Sequence, residues 1–158
     1  MKETSLCYIY RGDEVLMLHR TRKKNDLNEG KWIGIGGHFE ENESPEDCVL
    51  REVTEETGLV LTEYQYRGIV TFVSDRYEGE HMHLFTATEF EGTLKEDCPE
   101  GDPVWISKEK QKNLPQWEGD AIFLALLDDG APFFSLKLEY EGEILRRAVL
   151  NGTVLQEK

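Results

Sequence analysis

Residues 37–59 read GHFEENESPEDCVLREVTEETGL, and this stretch decides the fold. Ser44 suits a helix N-cap, and Pro45 has the fixed φ that a first helical turn accepts. Asp47, three residues past Ser44, can complete a capping box. Helix-compatible residues continue to Thr57, and Gly58 can end the helix in a left-handed conformation. Eight carboxylates lie between His38 and Gly58, against one cation, Arg51. Glu52, Glu55 and Glu56 stand at i, i+3 and i+4, which puts them on one helical face. Val49, Leu50 and Val53 form a neighbouring apolar face that can anchor in a core. Like charges this close repel unless something neutralises them, and a hard divalent cation does so through oxygen ligands. Arg51 and Glu55 are i, i+4 neighbours, so Arg51 can hold a carboxylate in orientation. Taken alone, the three acids also suit a solvated helix face, the usual fate of a charge run.

Outward from this helix the chain alternates strand-like and turn-like runs. Residues 6–10 (LCYIY) and 15–19 (VLMLH) flank Gly12-Asp13 and read as a hairpin. A polar loop covers 21–30. Residues 31–37 (KWIGIGG) form a glycine-rich extended stretch whose backbone a ligand or a strand can approach closely. Further strands are expected at 66–73, 81–90 and 102–106, with 76–80 as a turn. Residues 119–127 carry a helical pattern that Asp128-Asp129-Gly130 ends. Two strands at 133–140 and 144–150 close the chain around the turn 141–143. The expected architecture is α/β (α+β), one domain over 1–158 with a mixed sheet and two main helices.

The whole chain sets further bounds. Its 158 residues suit one domain with one sizeable core, and 39% apolar with 32% charged residues is an ordinary globular balance. No apolar run approaches the roughly 20 residues of a membrane span, and the first residues lack the pattern of a secretory signal. A cytoplasmic protein with no membrane partner is expected. The net charge of −14 repels a nucleic acid backbone, and the one dense basic cluster, residues 20–24, is short. A nucleic acid polymer is therefore not expected as a partner, whereas a small polyanion could bind if metal ions masked the carboxylates. Cys7, Cys48 and Cys98 are odd in number and lack CxxC spacing, so no disulfide framework or zinc site is expected. His81 and His83 fall on one face of a regular strand but lack a third metal ligand.

The pattern of residues 37–59 resembles the Nudix box, GX5EX7REUXEEXGU, where U is a bulky aliphatic residue. Gly37, Glu43, Arg51-Glu52, Val53, Glu55-Glu56, Gly58 and Leu59 fill every specified position without a gap. Outside the box, Trp32 before the glycines, Trp105 on a later strand, Trp117 before a helix and the closing hairpin resemble the MutT-like branch, which hydrolyses oxidised purine nucleoside triphosphates.

The resemblance implies an α/β/α sandwich with a mixed central sheet, a box loop and helix, and a C-terminal hairpin. It implies magnesium as cofactor, with manganese as a possible substitute, and a small nucleotide as substrate for a monomer or homodimer. Carried over, Glu52 and Glu56 are the first-choice metal ligands, with Glu55 beside them, the Gly36 carbonyl as a further ligand and Glu100 as an additional acid. Glu100 also suits a solvated loop. Glu55 or Glu56, or else Glu52, would take the proton of the attacking water. Arg51 would orient a box acid, and Glu43 would support the loop. Gly37 would approach the substrate, and Arg20 could meet a phosphate, although an arginine at a strand end is also commonly a surface charge.

Trp117 and Asp120 resemble the pair that clasps the base in vertebrate members. Trp117 also suits a half-buried surface anchor. Phe72, Met82 or Leu84 could line the same pocket or simply be core. Two departures bear on the base. Ile33 stands where those members have asparagine, and Gly119 where they have a second acid. The expected reaction is hydrolysis of a nucleoside triphosphate, such as 8-oxo-dGTP, to the monophosphate and pyrophosphate. The alternatives are a Nudix pyrophosphatase acting on ADP-ribose, nucleotide sugars or dinucleoside polyphosphates, and a non-catalytic nucleotide sensor.

Overall fold

A computed structural model describes residues 1–21, 27–96 and 101–158. Among them run β1 (Lys2–Arg11), β2 (Glu14–His19), β3 (Trp32–Ile33), β4 (Ile35–His38), α1 (Pro45–Thr57), β5 (Val60–Ser74), β6 (Glu80–Glu91) and β7 (Asp102–Ser107). They are followed by α2 (Lys108–Gln111), α3 (Asp120–Asp128), β8 (Phe134–Glu141), β9 (Ile144–Leu150) and β10 (Thr153–Glu157). The strands are ordered β10-β9-β8-β5-β6-β1-β2-β3, with β4 also paired to β1 and β7 to β2. The β1–β6 and β5–β8 pairings are parallel and the others antiparallel, so the sheet is mixed as expected.

Strand alternation sends side chains to two cores, one on each face of the sheet. Cys7, Ile9, Leu16, Leu18, Phe85 and Ala87 meet Val49 and Val53 of α1. Tyr8, Met17, Leu84 and Leu136 meet Phe123, Leu124 and Leu127 of α3. The molecule is thus helix, sheet, helix, with β1 at the centre feeding both layers.

The box helix forms as its residues direct. Ser44 Oγ accepts the Asp47 N–H and Asp47 Oδ2 accepts the Ser44 N–H, each at 3.0 Å. Gly58 closes the helix at φ 81° and donates its N–H to the Thr54 carbonyl. Val49 and Val53 are fully buried, and Leu50 packs against the same core.

Several boundaries differ from the sequence expectation. The strand expected at 66–73 begins at Val60, and register shifts at Leu61/Glu63, Glu63/Tyr64 and Tyr66/Gly68 break its two-residue period. The stretch 31–37 is two short strands interrupted at Gly34. The closing hairpin carries a third strand, β10, whose residues are all exposed and so give no burial pattern. Asn151 (φ 49°) and Gly152 (φ 85°) form the turn into it. Gly119 is the N-cap of α3, and the helix proper starts at Asp120. Among the described residues, no helix is long and apolar enough to cross a membrane.

Candidate active site

One cavity of about 310 Å³ joins the box to the far face of the sheet. At its polar end lie Arg20, Gly36, Gly37, His38, Arg51 and Glu52. At its apolar end lie Phe72, Met82, Trp117, Leu138 and Tyr140, with Leu27 and Ile33 contributing from the loop side and Asp120 set into the wall.

The polar end is organised by Arg51. Its Nε and Nη2 donate to the two Glu43 carboxylate oxygens, both at 2.8 Å. Its Nη1 donates to Glu52 Oε1 at 2.7 Å and to Glu55 Oε2 at 3.1 Å, and Nη2 also reaches the His38 carbonyl at 3.1 Å. One planar guanidinium thus gathers three carboxylates. Glu43 also accepts the Glu40 N–H at 2.7 Å, tying the box loop to the helix. The hydrogen bonds from Arg51 hold the Glu43 carboxyl at about 2, well below its ordinary value.

The three predicted metal-binding acids have different settings. Glu52 lines the cavity, and its carboxylate lies so close over Gly37 that a Cβ there would fall 2.7 Å from it. Glu55 is on the same flank and shares the Arg51 Nη1 nitrogen with Glu52, but its side chain is 58% exposed and does not line the cavity. Glu56 is buried at 5% exposure, one turn beyond Glu52, and is also outside the lining. Among the described residues, no three His, Cys, Asp or Glu side chains are close enough to enclose a metal ion by themselves. Glu100 lies outside the described residues, as do Lys23 and Lys24. Of the predicted metal ligands, Glu52 and the Gly36 peptide share the cavity wall; they offer hard oxygens on a glycine cradle, and this chemistry fits a magnesium-type cation.

Two residues for which the sequence also left a surface position open are buried in the cavity wall. Arg20 is not a solvated strand-end charge: it is 7% exposed and lines the cavity. Trp117 is not a half-exposed anchor: it is 7% exposed in the cavity wall. Its indole N–H donates to Asn28 Oδ1 at 2.9 Å, Phe72 meets its ring edge-on at 5.4 Å, and the Lys31 ammonium stands 4.6 Å from its ring centroid. Lys31 is itself ion-paired to Glu143 in the β8–β9 turn. Phe72 and Met82 line the cavity, whereas Leu84 belongs to the core beneath it. His81 and His83 share a strand face and both hydrogen-bond the carboxylate of Glu3, at 2.9 and 2.8 Å.

Asp120 opens α3 and is 6% exposed. Burial raises its carboxyl to about 7, against the opposing pull of a Trp117 backbone hydrogen bond and the Lys31 charge. The fold therefore favours the protonated acid. Stability from this group is fully present below the unfolded carboxylate value and is lost as pH rises towards 7. Asp120→Asn removes that dependence. Relative to the variant, the wild-type protein should lose a few kcal/mol between mildly acidic and neutral pH, then level off. Urea melts across this range check it, and a pH-independent difference would count against the buried acid.

Asn28, Lys31 and Tyr140 are site residues that the sequence does not single out. For Tyr140 a signal existed: Phe134, Leu136, Leu138 and Tyr140 alternate on β8 and are all buried. Only the parallel pairing of β8 with β5, which opposes Leu138 to Phe72, brings that face to the cavity.

The NUDIX domain family matches residues 2–127. A Bacillus subtilis protein, described as the uncharacterised Nudix hydrolase YvcI, is 30% identical over 82% of this chain and 81% of its own length. A zebrafish protein described as an oxidised purine nucleoside triphosphate hydrolase is 30% identical over 66% of this chain and 67% of its own length. The crystal structure of a MutT mutator protein from Bacillus halodurans superposes with a TM-score of 0.85 at 26% identity, covering 96% of this chain and 98% of that one. With the box helix capped as its sequence directs and set beside this cavity, the chain belongs to the Nudix family, as a hydrolase of pyrophosphate bonds in nucleotide-like substrates.

Proposed function

We propose that the chain hydrolyses a nucleoside triphosphate, with an oxidised purine such as 8-oxo-dGTP as the preferred base, to the nucleoside monophosphate and pyrophosphate. The observation that carries this reading is the two-ended cavity, charged and glycine-lined at one end and aromatic at the other, with Asp120 in its wall. Relatives in zebrafish and mouse, described as oxidised purine nucleoside triphosphate hydrolases and 30% and 31% identical, support the substrate class.

Glu52, Glu56 and the Gly36 carbonyl would hold magnesium, with Glu55 beside them and manganese as a substitute. When bound, the metal supplies charge neutralisation and Lewis-acid polarisation of the diphosphate. The polyphosphate lies at the polar end, where Arg20 offsets its charge and the Gly37 backbone admits it closely. Water attacks the β phosphorus, the bond from that phosphorus to the α–β bridging oxygen breaks, and the monophosphate leaves with that oxygen. A box glutamate takes the proton of the water. Glu55, open to solvent, can pass it on to bulk water. Arg51 orients Glu52 and Glu55 and holds Glu43 as the loop brace. Trp117 and Phe72 give the base an apolar, aromatic seat.

The test is turnover of 8-oxo-dGTP, dGTP, ADP-ribose and a nucleotide sugar, with and without magnesium. Magnesium-dependent pyrophosphate release, faster from 8-oxo-dGTP than from dGTP, is expected. Two monophosphates from ADP-ribose, with no triphosphate turnover, would replace this reading. No turnover of any member of the panel would favour a non-catalytic nucleotide sensor.

A further inference from the structure

The apolar end of the cavity holds a polar group that hydrolysis does not use. Tyr140, on β8, is buried, and its ring packs against Trp117 at 5.0 Å and Phe72 at 5.4 Å. Its hydroxyl oxygen accepts the Gly119 N–H at 2.8 Å. Accepting that bond occupies a lone pair and leaves the phenolic proton to be donated elsewhere. The contact depends on glycine: a Cβ at position 119 would stand 2.6 Å from the hydroxyl oxygen and 2.5 Å from Leu138. Asp120, the next residue, lines the same wall. Ile33, Phe72, Met82 and Leu138 line the apolar end with no side-chain hydrogen-bonding group. A hydroxyl donor and a carboxyl acceptor therefore share a wall whose nearest lining side chains are mainly apolar, with the Asn28 amide oxygen already engaged by the Trp117 indole N–H.

We propose that Tyr140 determines base specificity, its hydroxyl donating to an exocyclic oxygen of a base whose adjacent ring N–H donates to Asp120. The inference rests on the nucleotide reading of this cavity. An oxo group beside a ring N–H, the lactam edge of guanine, 8-oxoguanine or uracil, meets donor with acceptor at both positions. Adenine offers an amino donor beside a ring-nitrogen acceptor, which sets donor against Tyr140 and acceptor against Asp120. A site that hydrogen-bonds one edge rejects the other because its buried polar groups are left unpaired.

The experiment compares kcat/KM for dGTP and dATP, well above neutrality where Asp120 is ionised. The wild-type protein should favour dGTP. Tyr140→Phe should lower that ratio about tenfold or more. Gly119→Ala, which drives a methyl group against the hydroxyl, should move the ratio the same way. A purely structural Tyr140 would depress both substrates alike, so an unchanged ratio in both variants overturns the proposal, as does a wild-type preference for dATP. If the wild-type protein cleaves no triphosphate, the proposed reaction fails, and calorimetric binding of GMP and AMP judges Tyr140 separately. Tighter GMP binding that is lost in Tyr140→Phe supports it, and equal binding overturns it.

Discussion

Glu52→Gln and Glu56→Gln should each lower kcat by about 10²–10⁴-fold, the range for losing a positioned group that carries charge or moves a proton. The argument is strongest for Glu52. Its carboxylate lies on the cavity wall, is held by Arg51 at 2.7 Å, and sits over Gly37, where any side chain would collide with it. Glutamine keeps the shape and the capacity to accept from Arg51 but removes the negative charge that a hard divalent cation requires. The loss should appear mainly in kcat, together with a raised magnesium requirement, while circular dichroism stays unchanged. Near-normal turnover of both variants at ordinary magnesium would remove these residues from the proposed metal site.

Arg51→Ala should destabilise the fold by about 2 kcal/mol, below the range for breaking a fully buried ion pair because the guanidinium is partly solvated and Glu55 is largely exposed. At this chain length such a loss corresponds to about 4–8 °C in Tm. The guanidinium is hydrogen-bonded to Glu43, Glu52 and Glu55 together, and its removal takes away the charge that holds these three carboxylates side by side. Arg51→Lys should recover little, because an ammonium cannot bond both Glu43 oxygens while reaching Glu52. Added magnesium should recover part of the loss in Arg51→Ala, since it neutralises the same carboxylates. A Tm unmoved by Arg51→Ala, or a deficit indifferent to magnesium, would refute this account. The acid side follows with the opposite sign to Asp120. Glu43 is depressed to about 2, so its stabilisation is present above the ordinary carboxylate value and fades only as pH falls towards 2.

The box helix was legible almost to the residue because each boundary had a local cause: Ser44 with Asp47, Pro45, and a left-handed Gly58. The mixed sheet was legible as a class, because its strands alternate. What escaped was whatever depends on pairing at a distance. The start of β5 is hidden by bulges, and β10 has no buried face to betray it, although Asn151-Gly152 is a recognisable hairpin turn. At the site, Trp117 and Asp120 could be named from a resemblance, and both line the cavity. Their surroundings could not. The spacing of Glu52, Glu55 and Glu56 predicts a shared flank, but it does not say that one lines the cavity, one faces solvent and one is buried. Nor could Gly119 be read from sequence as more than a missing acid. The fold shows that a side chain there would collide with Leu138 and Tyr140.

The parallel seam between β5 and β8 also bears on how the molecule is made. Gly68 to Ser74 must wait for Phe134 to Tyr140 before that edge is paired, a separation of more than sixty residues along the chain. During translation the acidic helix and its arginine clasp can assemble early, from neighbours close in sequence. The wall that would discriminate among bases is complete only when residues as far as Tyr140 have left the ribosome. A stalled or prematurely terminated product would therefore carry the hydrolytic signature without a finished recognition surface, and it would expose an unpaired strand edge to aggregation.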